Sequence, residues 1–227
     1  MKSAVVLLSG GVDSATCLAL ALKQYGLNNV SALNITYGQK HVRELESAQR
    51  IADFYNVTYR LLDLSAVFAE SDCSLLAHSS KSIDHTSYSQ QLKASQGAAV
   101  GTYVPFRNGL MLSAAASCAQ SIGASCVIYG AHADDAAGRA YPDCTPEFVQ
   151  SMREAIYEGT GREIMLEAPF INCNKAEIVR RGLELRVPYD LTWSCYEGGE
   201  KPCGACGTCR DRARAFELNG VRDPLLR

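Results

Sequence analysis

Long hydrophobic runs are absent from this sequence of 227 residues. A membrane-spanning helix needs about 20 consecutive apolar residues, and no stretch here reaches that length. The apolar run at the N-terminus meets Gly10 and Gly11 almost at once, so it is also too short for a secretory signal peptide. We therefore expect a cytoplasmic protein that has no membrane as a partner.

A strong excess of charge is absent as well. The formal net charge is only −2, so no overall positive field favours nucleic acid or an anionic membrane as a partner. Internal repeats and low-complexity tracts are also missing. With a hydrophobic content of 47%, the chain is long enough to bury one substantial core, with a small appendage beside it.

The N-terminal part of the chain alternates between short apolar runs and helical periods. Residues 4–8, 30–37 and 57–62 are predicted strands, and residues 14–25 and 42–55 are predicted helices. This βαβαβ order predicts a parallel sheet with right-handed crossovers.

The alternation stops at residues 66–101, which are rich in Ser, His and Gln, and we interpret this segment as an active-site loop or lid. It resumes afterwards with helix 109–122, strand 125–129, helix 146–157, strand 164–168 and a helix from Asn174 to Arg181 that Gly182 ends. The predicted fold class is therefore α/β with a doubly wound parallel sheet.

The strongest motif is the run Ser9-Gly10-Gly11-Val12-Asp13-Ser14, where the first strand turns into the first helix. Two glycines let backbone amides close on an anion, the serine hydroxyls add donors, and the helix N-terminus adds a favourable dipole. The run lacks the GK[ST] ending of a Walker loop, which disfavours γ-phosphoryl transfer. A polyphosphate site is favoured over a plain serine-capped turn.

This run resembles the SGGxDS signature of the PP-loop family of ATP pyrophosphatases. The resemblance implies that the loop holds the β and γ phosphates as a leaving group and exposes the α phosphorus. Asp13 would place a carboxylate beside phosphates, which is unfavourable unless a cation lies between them, so we assign it to the Mg²⁺ that accompanies ATP. The alternative role for Asp13 is a negative charge at a helix N-terminus.

Four of the ten cysteines form a compact pattern near the C-terminus. Cys195, Cys203, Cys206 and Cys209 follow the spacing C-x7-C-x2-C-x2-C, which is typical of a closed, structural Zn²⁺ site. An iron–sulfur cluster has the same ligands, but the chemistry inferred here needs no electron transfer. Basic residues nearby would offset the negative charge of the site, namely Lys201, Arg210, Arg212 and Arg214. The remaining cysteines are scattered and are predicted to pack in the core.

Further polar residues follow the second predicted strand, at the edge where doubly wound folds bind ligands. They are Tyr37, Gln39 and His41, with Glu44 one turn later. His41 is either a proton shuttle or a helix cap.

Arg107 and Asn108 precede the next helix, and an arginine there can clamp a carboxylate or a phosphate. The alternative for Arg107 is an exposed surface position. Asp143 is either a substrate contact or a helix cap, and Lys175 is either a phosphate contact or an ordinary solvated lysine.

Taken together, the motifs are similar to the 7-cyano-7-deazaguanine synthase family along the whole chain. The matching runs appear in the family's order: SGGVDS, YGQKH, VPFRN, YGAHADD, YPDC, NKAEIV, LTWSCYEGGEKPCGACGTC and RARAF. Two departures are Asn174, where an acidic residue or serine is common, and residues 79–102, which match only loosely.

The resemblance implies a homodimeric ligase that forms carbon–nitrogen bonds and contacts no nucleic acid directly. Its substrates would be 7-carboxy-7-deazaguanine, ammonia and ATP. It also implies a PP-loop domain over residues 1–187 with a zinc-binding region packed on it over residues 188–227.

The resemblance also implies the roles of individual residues. The residues with an implied catalytic role are Asp13, Lys175 and Arg107. The residues implied to contact the acid substrate are Tyr37, Gln39, His41, Arg107, Asn108 and Asp143. The residues implied to contact ATP are Leu8, Ser9, Gly10, Gly11, Val12, Asp13, Ser14, Ala15, Thr16, Cys17 and Leu18.

Two rival hypotheses keep the nucleotide loop. One is a PP-loop enzyme that modifies tRNA, which would need an RNA-binding surface that the sequence offers only around Arg210, Arg212 and Arg214. The other makes the cysteine-rich tail a nucleic-acid or protein-binding module on a nucleotide switch.

Overall fold

A computed structural model describes residues 2–40, 42–86, 88–94, 99–136 and 140–226 of the chain. His41, predicted to lie on the substrate side, is outside the described residues. Within the described ranges, no helix is long and apolar enough to cross a membrane.

A parallel sheet of five strands forms the centre of the molecule, in the order β3-β2-β1-β4-β5. The strands are β1 (Ala4–Leu7), β2 (Val30–Thr36), β3 (Thr58–Asp63), β4 (Cys126–Ile128) and β5 (Met165–Glu167). Every strand pair is parallel, with Ala4 aligned to Val30 on one side and to Cys126 on the other. The central strand β1 is therefore the point from which the chain winds in both directions.

The described helices are α1 (Val12–Tyr25), α2 (Arg43–Tyr55), α3 (Tyr88–Ala94), α4 (Arg107–Ser121), α5 (Ala133–Ala136), α6 (Pro146–Gly159), α7 (Lys175–Glu184) and α8 (Gly207–Leu218). Alternate residues of β1 point to opposite faces. Val6 packs in one buried cluster with α1, α2, α7 and α8, whereas Val5 packs in another with α4 and α6. Both faces are covered, so the predicted doubly wound α/β fold is confirmed.

The start of α7 matches the sequence pattern, but its end does not. The Asn174 side chain accepts a hydrogen bond from the Glu177 backbone at 2.9 Å, and Glu177 returns one to the Asn174 backbone at 2.8 Å. The prediction that Gly182 ends this helix is wrong, because α7 continues to Glu184. An ideal Cβ on Gly182 would lie 1.7 Å from the hydroxyl oxygen of Tyr189, so glycine is required there for close packing.

The cysteine-rich tail continues into a helix that the sequence pattern did not reveal, α8, which contributes Phe216 to the core. Arg212 on this helix is buried and donates hydrogen bonds to Asp223 at 2.6 and 2.8 Å. The expectation that Arg212 offsets the charge of a metal site is therefore wrong, since its charge is already compensated. This buried pair fixes the end of the chain against α8.

The segment 66–101 is less irregular than expected in its described part. Phe68, Cys73 and Leu76 pack with Tyr37 and Val104 in a small buried cluster. The segment also contacts the tail, because His85 Nε2 lies 2.7 Å from Glu197 Oε1 and Arg210 donates a hydrogen bond to the His85 carbonyl. Part of the predicted lid is thus packed against the edge of the sheet and the tail.

We predict that Gly182→Ala destabilises the protein although alanine favours helix. The added methyl group must displace the Tyr189 ring, and such overpacking costs about 1–3 kcal/mol. Urea denaturation of Gly159→Ala is the matched control, because a Cβ there meets nothing within 4 Å and should leave the free energy of unfolding unchanged or raise it. Equal denaturation midpoints for Gly182→Ala and the parent protein would contradict the packing argument.

Candidate active site

A pocket of about 230 Å³ opens at the carboxyl edge of the sheet, where β1, β2 and β4 end. This is the position at which doubly wound folds bind ligands. The pocket walls combine apolar side chains such as Leu33 and Met111 with polar groups. The predicted site residues that line it are Leu8, Ser9, Asp13, Ser14, Tyr37, Gln39, Arg107 and Asn108.

The loop between β1 and α1 is held in place by close backbone packing. Gly10 has φ of +92°, and an ideal Cβ on it would lie 2.3 Å from the Glu44 carbonyl oxygen of α2. Glycine is therefore required for both conformation and space. The Gly10 carbonyl accepts a hydrogen bond from the backbone of Trp193 at 2.9 Å, and the Ser9 and Ser14 hydroxyls lie 3.0 Å apart.

The later residues of the predicted nucleotide set belong to the buried part of α1. Val12, Ala15, Thr16, Cys17 and Leu18 are all buried and do not line the pocket. The Thr16 hydroxyl donates to the Val12 carbonyl at 2.7 Å and lies 2.8 Å from the Tyr189 hydroxyl. These side chains support the loop from beneath.

Asp13 is the centre of a charged cluster at the start of α1. Its Oδ2 accepts a hydrogen bond from Lys175 Nζ, from the first turn of α7, and lies 3.6 Å from His132 Nε2. His132 is also 3.3 Å from Asp135 Oδ2. The cluster joins the segments that follow β1, β4 and β5.

The acidic and basic side chains of this cluster stabilise one another's charged forms. Burial alone would raise the pKa of Asp13, but the charges of Lys175 and His132 outweigh it and hold the pKa of this carboxyl well below its usual value. Burial lowers the pKa of His132, whereas Asp135 and Asp13 raise it, and the net direction is upward. Asp13 Oδ1 is buried and has no hydrogen-bond partner among the described residues. One oxygen of the Asp13 carboxylate thus has no partner among the described residues.

The side of the pocket next to the end of β2 carries two more charged residues, Glu44 from α2 and Arg107 from the start of α4. The Arg107 guanidinium lies over the Tyr37 ring, 4.7 Å from its centroid. Burial raises the pKa of Glu44 to about 7, although the charge of Arg107 acts in the opposite direction. The Gln39 side-chain oxygen accepts hydrogen bonds from the Tyr37 backbone at 2.9 Å and from Thr36 at 3.1 Å, so Gln39 holds the strand end in shape.

Asn108 and Asp143 contact each other across the pocket wall. Asp143 Oδ2 accepts a hydrogen bond from the Asn108 backbone at 2.9 Å, and the Asn108 amide donates to the Asp143 carbonyl at 3.2 Å and to the Cys144 sulfur at 3.1 Å. Asp143 therefore caps the start of α4, whereas Thr145 caps α6. Burial raises the pKa of Asp143, which does not itself line the pocket.

The sequence reasoning missed several residues of this site. His132 and Asp135 lie in the run GAHADD, and the sequence pattern shows nothing of their distance to Asp13. Tyr129 also lines the pocket, and its hydroxyl is buried with no partner among the described residues.

The four cysteines of the tail converge on one point. Their sulfur atoms all lie within 4.8 Å of one another, and Cys203 Sγ is 4.0 Å from Cys209 Sγ. A tetrahedral Zn²⁺ site with Zn–S distances of about 2.3 Å requires sulfur separations of about 3.8 Å, so the arrangement fits a metal ion. The indole nitrogen of Trp193 donates to the Cys195 carbonyl at 2.9 Å, which links the cluster to the loop after β1.

The chain is similar to proteins of known name along nearly its whole length. The family described as "Queuosine biosynthesis protein QueC" matches residues 3–220. A protein of Caldicellulosiruptor bescii named 7-cyano-7-deazaguanine synthase is 44% identical over 98% of this chain and 96% of its own. One of Archaeoglobus fulgidus with the same name is 44% identical over 98% of this chain and 89% of its own.

Among solved structures, NMN synthetase from Francisella tularensis resembles this chain in fold. The TM-score is 0.53, with 18% sequence identity over 97% of this chain and 78% of the synthetase. At that identity the likeness concerns the arrangement of the sheet and helices alone.

We predict that Cys206→Ser lowers the bound metal at least tenfold, because one of four thiolate ligands is lost. Elemental analysis by plasma mass spectrometry after dialysis measures the metal and separates zinc from iron. Cys118→Ser is the control, since this half-buried thiol lies outside the cluster and its loss should leave the metal in place. A Cys206→Ser protein that retains a full equivalent of metal would refute the four-sulfur site.

Proposed function

This chain belongs to the QueC family of queuosine biosynthesis proteins, and we propose that it is a 7-cyano-7-deazaguanine synthase. The proposal rests on the relatives of that name, which are 40–44% identical over 98–99% of the chain. The proposed reaction joins ammonia to 7-carboxy-7-deazaguanine at the expense of ATP and yields 7-cyano-7-deazaguanine, AMP and pyrophosphate.

The chemistry requires the substrate to lose both carboxylate oxygens. In the first half, a carboxylate oxygen attacks the α phosphorus of ATP and pyrophosphate leaves, which gives an acyl adenylate. Ammonia then attacks the acyl carbon, AMP leaves with the carboxylate oxygen, and the nitrogen loses a proton to give the amide. In the second half, the amide oxygen attacks the α phosphorus of another ATP and a second pyrophosphate leaves. The nitrogen then gives up its two protons as AMP leaves with the oxygen, which yields the nitrile.

The loop after β1 is suited to hold the departing pyrophosphate. The two serine hydroxyls and the start of α1 meet at the mouth of the pocket, where backbone N–H groups and the helix dipole favour anions. Asp13 Oδ1 is the oxygen that would hold Mg²⁺, which when bound neutralises the phosphate charge. We assign Lys175, which is bound to Asp13, to stabilise the negative charge that develops on the phosphates.

The apolar walls and Arg107 are suited to the second substrate. Tyr37 and Arg107 stack on each other at the wall after β2, and we assign the guanidinium to orient the acid in the pocket. Asn108 and Asp143 act by fixing the start of α4, which carries Arg107. Closure of residues 66–101 over the pocket would keep water from the acyl adenylate.

We further propose that the cysteine cluster holds one structural Zn²⁺, since four thiolates leave no open position for catalysis. Residues 188–227 would then form a zinc-binding region on a PP-loop domain of residues 1–187. A homodimer in the cytoplasm is the state that we assign to the protein.

Incubation with 7-carboxy-7-deazaguanine, ammonium and ATP should give the nitrile together with AMP and pyrophosphate. Mass spectrometry identifies the nitrile and chromatography separates AMP from ADP. Omission of the acid should abolish AMP formation. If the nucleotide products are ADP and orthophosphate, or if no nitrile forms, the proposal is wrong.

We predict that Asp13→Asn lowers kcat by a factor of about 100 or more, because the variant loses the anionic ligand beside the phosphates. Steady-state rates over a series of Mg²⁺ concentrations measure the effect. Asp190→Asn is the control, because Asp190 is exposed and does not line the pocket. Parental activity of Asp13→Asn at low Mg²⁺ would remove the metal role from Asp13.

A further inference from the structure

Glu44 lies in the pocket wall on the opposite side of the loop from the Asp13 cluster. The sheet order places the segment after β2 on one side of β1 and the segment after β4 on the other. His132 and Asp135 follow β4, whereas Glu44 stands in the first turn of α2, after β2. The pocket therefore has a carboxylate on its β2 side that takes no part in the charged cluster around Asp13.

The Glu44 carboxylate is poorly compensated by the protein. Arg107 is the charge that acts on it among the described residues, and its guanidinium lies over the Tyr37 ring. No hydrogen bond of the described residues contributes to the pKa of Glu44, which burial raises to about 7. Glu44 is half-buried in the pocket lining, and no described residue donates a hydrogen bond to its carboxylate, which leaves the charge poorly compensated. A ligand that brings N–H donors would remove this penalty.

The same part of the pocket also carries apolar and aromatic surface. Leu33, Ile35 and Met111 provide apolar surface, and Tyr37 with Arg107 provides a stacked wall. A planar heterocycle between such surfaces would present its edge to a polar group beside them.

We propose that Glu44 accepts hydrogen bonds from the pyrimidinone edge of the deazaguanine substrate, and so determines which base the pocket takes. The inference rests on the proposed function. The edge of 7-deazaguanine carries the ring N1–H beside the 2-amino group, so two donors point in nearly the same direction. The two oxygens of one carboxylate match that pair, in a charge-assisted arrangement.

The Glu44 carboxylate would favour the deazaguanine acid over ATP and ammonium at this position. Adenine presents an acceptor nitrogen beside its amino group, whereas the deazaguanine edge presents two donors, and only a pair of donors stabilises the ionised form of the Glu44 carboxylate. Ammonium would satisfy the charge, but it has no flat surface to use the apolar walls. Glu44 is thus a specificity residue for the acid substrate.

The test is Glu44→Gln, with Glu46→Gln as the matched control on the same helical turn. Glu46 is exposed and outside the pocket. Loss of a charge-assisted pair should raise the KM for 7-carboxy-7-deazaguanine roughly 10- to 100-fold, with the KM values for ATP and ammonium within about twofold of the parent. Glu46→Gln should leave all three unchanged.

An analogue of the acid that lacks the 2-amino group distinguishes base recognition from a structural effect. Calorimetric titration of the parent protein should show binding of the analogue at least about tenfold weaker than that of the acid, whereas Glu44→Gln should bind both alike to within about threefold. Glu44→Asp keeps the carboxylate and should retain part of the discrimination. This pattern would not arise from a variant that is merely misfolded.

Failure of this inference is separable from failure of the proposed function. If the parent protein makes the nitrile but Glu44→Gln keeps its KM for the acid, or changes only the KM for ATP or ammonium, Glu44 does not read the base. If the parent protein makes no nitrile, the proposed function fails before any variant is compared.

Discussion

The contact between Asp13 and Lys175 is the constraint around which the site is organised. It joins the start of α1 to the start of α7, at positions 162 residues apart in the sequence. His132 approaches the same carboxylate from the segment after β4. Three segments of the chain must therefore reach their final positions before the charges are compensated, since a buried carboxylate without its partners is strongly disfavoured. The position of the loop after β1, and therefore the geometry of the pocket, depends on these three segments meeting at Asp13.

Much of the fold follows from local patterns. The βαβαβ order, the doubly wound class and the family were predicted from runs that are contiguous in sequence, and all are confirmed. The cysteine cluster was predicted on the same basis, because Cys203, Cys206 and Cys209 are close neighbours in the chain. Periodicity and spacing are sufficient where a feature is built from one segment.

Features built from distant segments escaped the sequence reasoning. Gly182 has the pattern of a helix end, yet its role is decided by Tyr189, which packs against it after the chain has turned back. Arg212 lies in a polar run that is typical of an exposed surface, but its side chain is buried because it pairs with the buried Asp223. The capping role of Asp143 towards α4 is of the same kind. In each instance the deciding partner is set by tertiary packing.

Trp193 connects the loop after β1 to the cysteine cluster of the tail through two hydrogen bonds. Its backbone N–H binds the Gly10 carbonyl in the loop after β1, and its indole binds the Cys195 carbonyl beside the first thiol of the tail. The position of the loop after β1 and the packing of the four thiols therefore depend on one side chain and its backbone, so a change in either region reaches the other through a single residue.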